Sequence, residues 1–136
     1  MNDKSKKAIE EFLSSRDDIS AEILEESKEF FGRVPFILDI LKERPKSFVF
    51  NTLGDFETLR PKSLDDATAE LICVASATAL GATACLKVHI GAALKAGATM
   101  DQVLDAIMIP AALGRTSILA PSLRVFKECR DNEMYE

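Results

Sequence analysis

The chain has 136 residues, 47% of them apolar and 29% charged, with a formal net charge of −5 and a pI of about 5.0. That size and balance fit one globular body and exclude disorder for most of it. Lys and Arg do not gather into a basic run, which argues against nucleic acid as a partner.

The first residues, MNDKSKKAIEEF, are charged throughout and lack the apolar core of a signal peptide. The longest stretch without a charge, LICVASATALGATACL at 71–86, is shorter than a bilayer span needs and rich in small residues. It reads as buried helix, and no membrane is expected. Three cysteines, Cys73, Cys85 and Cys129, make an odd number without a secretion signal. A reducing cytoplasm is the expected home, with no disulfide framework.

Taken in chain order, the pattern is helical almost everywhere. Residues 3–15 and 20–31 are amphipathic and end near Gly32. In VPFILDILKERP, Pro35 suits a first helical turn and Pro45 stops a short apolar helix. A further helix is expected over 46–58, with Gly54 inside it. RPKSLD reads as a turn, with Ser63 as the candidate N-cap of a long helix over 64–80. Gly81 suits its C-terminal stop. A helix over 83–96 closes at Gly97, and the tight turn at Gly81 and Ala82 should pack it antiparallel against its predecessor. Thr99 and Gln102 have capping-box spacing and start a helix over 100–113, which Pro110 should bend or restart. A last helix is expected over 117–130. No segment alternates with period 2, so the fold class is all-α.

The uncharged helix of small residues needs cover on all sides. One short chain covers it poorly, so an oligomer is expected. Residues 1–34 are charged and alanine-poor, and read as a helical arm on a body formed by 35–136.

The chemistry concentrates in GATACLKVHI, residues 81–90. It holds the only histidine, His89, four residues after Cys85. On a helix the two share a face. Cys85 would sit in the first turn, where unpaired backbone N–H groups favour an anion, and the imidazole could take or return its proton. The plainer alternative is an inert cysteine beside a core histidine. A metal pair is also conceivable at this spacing. With no second histidine, and no paired spacing at Cys73 or Cys129, no metal is expected. Glu70 is followed by sixteen residues without a charge, 71–86. It either reaches water from the first turns or faces His89 across a helix pair and holds the imidazole.

The segment ELICVASATALGATACLKVHIGAALKAGATMDQVLDAI resembles the carboxymuconolactone decarboxylase and alkylhydroperoxidase D-like (AhpD-like) family. Glu70, Cys85 and His89 fall at that family's spacing, as do Gly81, Ala93, Gly97 and Ala98. The resemblance implies a multihelical bundle that assembles as a homo-trimer or homo-hexamer. It implies a thiol peroxidase or disulfide reductase without a cofactor. Its substrate would be a small-molecule peroxide or disulfide, and its reductant an external thiol or thiol protein. Cys85, His89 and Glu70 would be catalytic and should converge in one small pocket shielded from water.

One position departs from the family pattern. The first cysteine of the usual Cys-x-x-Cys pair falls on Ala82, so the ordinary intramolecular disulfide cannot form. Cys73, three residues beyond Glu70 on nearly the same helix face, is the candidate resolving cysteine. Two other functions compete. One is a cysteine-independent decarboxylase or lyase using His89 and Glu70, since lactone decarboxylases of the family carry no redox pair. The other is a non-catalytic oligomeric binding protein.

Overall fold

Residues 1–131 are described by a computed structural model, and among them seven helices and no strand occur. They run α1 (Asp3–Ser14), α2 (Arg16–Phe31), α3 (Phe36–Leu41), α4 (Pro45–Leu59), α5 (Asp66–Ala79), α6 (Thr83–Lys95) and α7 (Met100–Asp131). The all-α expectation holds. The chain divides into two compact units, Met1–Ala69 and Glu70–Glu136, with the division falling inside α5.

The first unit is built on the contact of α2 with α4. Ile23 of α2 and Phe48 and Val49 of α4 are buried together, with Ile19, Leu24, Leu38 and Phe56 packed around them. The N-terminal helices thus cover the apolar face of α4. Pro45 opens α4 at a position where no N–H bond is lost. Phe12 of α1 meets Phe50 of α4 with ring centroids 5.8 Å apart. Beyond the end of α4, the Arg60 guanidinium lies 3.6 Å over the Phe30 ring, a cation–π contact that ties this end to α2.

Glycines end three of the helices where the sequence placed stops. Gly32, Gly81 and Gly97 have φ of 74°, 65° and 97°, the left-handed conformation that costs glycine little. After α5 the Ala82 N–H donates to the Ala77 carbonyl at 2.9 Å, and after α6 the Ala98 N–H donates to the Ala93 carbonyl at 2.9 Å. Both are the six-to-one bond of a Schellman motif.

Two local expectations need correction. The cap before α5 is Asp65, not Ser63: its side chain accepts from the Thr68 N–H and from the Thr68 hydroxyl, each at 2.8 Å. Those bonds hold the Asp65 carboxyl below its ordinary range, the Thr68 N–H contributing most. The second correction is in α7, which is one helix of 32 residues with Pro110 and Pro121 inside it, not two helices. Each proline withdraws one donor, from the Ala106 or Ser117 carbonyl, yet the helix runs on through both.

Within the second unit α6 contacts α7. Ala92 and Ala93 of α6 are buried, as are Val103 and Ala106 of α7. Beyond Ala106 most apolar side chains of α7 stand exposed, among them Met108, Leu113, Ile118, Leu123 and Phe126. Among the described residues, α7 is the one helix long and apolar enough to cross a membrane, by length and composition alone.

Candidate functional site

α5 places Glu70 and Cys73 one turn apart, on one side of the helix. Val74 and Ala77 are buried on the same helix, so this side is held inward by apolar packing. α6 begins two residues after Gly81 and carries Cys85 in its first turn and His89 in its second. At 1.5 Å rise per residue, Glu70 stands roughly 16 Å before Gly81 and His89 roughly 12 Å after it. The two side chains nevertheless meet, which requires the chain to double back at Gly81.

The meeting is close: His89 Nδ1 and Glu70 Oε2 are 2.7 Å apart. Glu70 is only 1% exposed, and the His89 side chain is 16% exposed. A carboxylate so far from water needs a charged or hydrogen-bonding partner, and the imidazole supplies it. Cys73, also buried, completes the group. Its sulfur, a Glu70 carboxylate oxygen and a His89 ring nitrogen all lie within 4.8 Å of one another. The Cys73 side chain, hydrogen-bonded to the ring, and then the Glu70 carboxylate push the His89 pKa up to about 9, against the opposing effect of burial. His89 therefore carries its second proton at neutral pH. Both ring nitrogens are then donors, and Nδ1–H donates to the Glu70 carboxylate.

The structure thus joins Glu70 to His89 across two helices. It sets Cys73 beside them, closer to the ring than helical spacing alone could foretell. Cys85 is placed differently: it is exposed, at the start of α6, one turn before His89. Glu70 and Cys73 are thus buried, whereas Cys85 is exposed to solvent. Ala82, the residue standing where the family has its first cysteine, is the N-cap of α6 and brings no side-chain hydrogen bond to that helix end. Cys129, near the end of α7, is a free thiol outside the group.

Chemically, the group is a proton-bearing imidazole clamped by a buried carboxylate, with one buried and one exposed thiol on the same helix pair. Such an arrangement can hold a proton next to a sulfur and release it to a leaving oxygen.

No curated protein and no solved structure matches this chain. A match does come from the sequence model of the carboxymuconolactone decarboxylase family, over residues 48–128. Those residues run from the buried Phe48 of α4 through the whole Glu70–His89 pair and along most of α7. On that match, which spans more than half of its length, the chain belongs to the carboxymuconolactone decarboxylase family.

Proposed function

We propose that the protein is a thiol-dependent oxidoreductase that reduces a small hydroperoxide or disulfide at Cys85. The observation that carries this reading is the buried Glu70–His89 pair at 2.7 Å, one helical turn from an exposed cysteine. The Cys85 thiolate attacks the outer oxygen of ROOH. The S–O bond forms and the O–O bond breaks, leaving Cys85 as sulfenic acid and RO⁻ as leaving group. His89, protonated at neutral pH, gives its proton to RO⁻, and Glu70 holds the imidazole in place and offsets its charge.

An external thiol then displaces hydroxide from the sulfenic sulfur, leaving a mixed disulfide, and a second thiol restores Cys85. Cys73 is the internal candidate for the same step. Its thiol would give a Cys73–Cys85 disulfide and water, in place of the disulfide that Ala82 rules out. A reducing cytoplasm suits this cycle, because all three cysteines must start as thiols.

The test is peroxide consumption by the reduced protein with excess small thiol. Cys85→Ser should abolish turnover. His89→Gln should lower it by roughly 10²–10⁴-fold, the usual contribution of a positioned acid or base. Ala82→Cys should raise it. Turnover that survives Cys85→Ser would overturn the proposal. If the same variant also processed a lactone acid, the family's decarboxylase chemistry would take its place, with His89 and Glu70 as acid and base. That alternative is favoured by a Glu70–His89 pair that is complete without Cys85.

A further inference from the structure

Oxidation chemistry at Cys85 uses the sulfur of Cys73 only in its last step, yet Cys73 is the sulfur that touches the buried pair. Its donor, one from Glu70 and one from His89 lie within 4.8 Å of one another, two from successive turns of α5 and one from α6. Glu70 and Cys73 are buried, so these donors face each other and not solvent. We infer that Glu70, Cys73 and His89 form a binding site for a single Zn²⁺ ion, with a fourth position left to water or a small ligand.

The donor set selects the metal. Thiolate, imidazole and carboxylate are together the ligands of zinc, whereas Mg²⁺ and Ca²⁺ take oxygen alone. Bonds of roughly 2.0–2.3 Å in a tetrahedral centre put neighbouring ligand atoms roughly 3.5 Å apart. The 2.7 Å between His89 and Glu70 must open by roughly an ångström, and a separation at the 4.8 Å limit must close by about as much, within reach of side-chain rotation. The ion would also replace the imidazolium proton as the positive charge beside a carboxylate that is 1% exposed. Cys73 would bind as thiolate and His89 as neutral imidazole, so binding involves no change of oxidation state. Cys85 and Cys129 take no part.

Three ligands with an open position is the pattern of zinc sites that bind a further molecule, not of closed structural sites. The site itself does not depend on the peroxidase reading. If that reading holds, the ion would occupy His89 and silence the proton relay, so Zn²⁺ would inhibit turnover.

The experiment uses the full-length, reduced, metal-free protein and titrates it with Co²⁺ and then Zn²⁺. One Co²⁺ per chain should bind and show a thiolate-to-cobalt charge-transfer band, which Zn²⁺ then removes. Cys73→Ser should lose the band and Cys85→Ser should keep it. Glu70→Gln should weaken binding by at least the roughly 10–100-fold that loss of an outer-shell partner costs. A second measurement needs no variant: His89 is the only histidine, so one equivalent of Zn²⁺ should shift a single set of imidazole resonances. Absence of stoichiometric binding would overturn the inference. So would a band that survives Cys73→Ser, or histidine resonances unmoved by one equivalent of Zn²⁺. Peroxide turnover by Cys85 in the metal-free protein is scored separately, so a failure of the oxidoreductase reading leaves the metal result intact.

Discussion

His89 reports on the whole cluster, because the chain has no other histidine to overlap with it. In metal-free protein its NMR titration should have a midpoint near 9, pushed up by Cys73 first and Glu70 second. Cys73→Ser and Glu70→Gln should each move that midpoint down, towards the ordinary histidine value of about 6.5. The same shift has a consequence for stability. A folded pKa above the unfolded one means that the native state holds the proton more tightly. The resulting stabilisation is fully present below about 6.5 and is lost as pH rises through about 9. Urea midpoints measured from pH 6 to 9.5 should therefore fall across that window, and His89→Gln should flatten the fall. A midpoint that rose with pH, or a slope unchanged in His89→Gln, would contradict the pairing.

At the scale of the element, helix ends and helix faces respond to different changes. α7 starts with a reciprocal capping box: the Gln102 N–H donates to the Thr99 hydroxyl at 3.2 Å, and the Thr99 N–H donates to the Gln102 side chain at 2.8 Å. Thr99→Ala removes the hydroxyl half of it and should cost about 1 kcal/mol in chemical denaturation. Thr99→Ser should restore most of that loss. Phe48 on α4 belongs to the other kind. It is 1% exposed among Ile23 and Val49, so Phe48→Ala leaves a cavity as well as losing burial. A loss of roughly 3–5 kcal/mol is expected, against a total domain stability of about 5–15 kcal/mol. If Phe48→Ala proved milder than Thr99→Ala, the packing of α2 on α4 would contribute less than its burial implies.

At the scale of the molecule, α7 is the outstanding surface. Met108, Ile109, Leu113, Ile118, Leu123 and Phe126 are all at least half exposed on a single chain. An apolar surface of this extent is normally covered in a soluble assembly. We propose that copies of the same chain cover it, in the homo-trimer or homo-hexamer that the family resemblance implies. Light scattering on the eluting protein should then give three or six times the 14.9 kDa chain mass. A charged substitution in the middle of the surface, Ile118→Glu, should shift the mass downward. A 14.9 kDa particle at micromolar concentration, or a protein recovered only with detergent, would exclude this assembly.

The amino-acid sequence alone determined those features whose causes lie within a few residues. Gly32, Gly81 and Gly97 stop helices because a left-handed residue is needed there, and the Thr99–Gln102 box works over a spacing of three. The sequence left Glu70 open between reaching water and facing His89, and the fold sets the two side chains 2.7 Å apart. The cap of α5 was ambiguous because Ser63 and Asp65 are both good caps, and only the path of the turn chose Asp65. Pro110 misled in the same way: it removes one hydrogen bond, and the helix on either side retains enough others to continue. The placement of the sulfurs was decided by tertiary structure alone. Cys73 and Cys85 are each about one turn from a member of the pair, and local spacing treats them alike. Which one is buried against the imidazole depends on how far each helix is rotated about its axis where the two meet. That rotation turns Cys73 inward and leaves Cys85 at the surface, a choice that spacing along one helix does not encode.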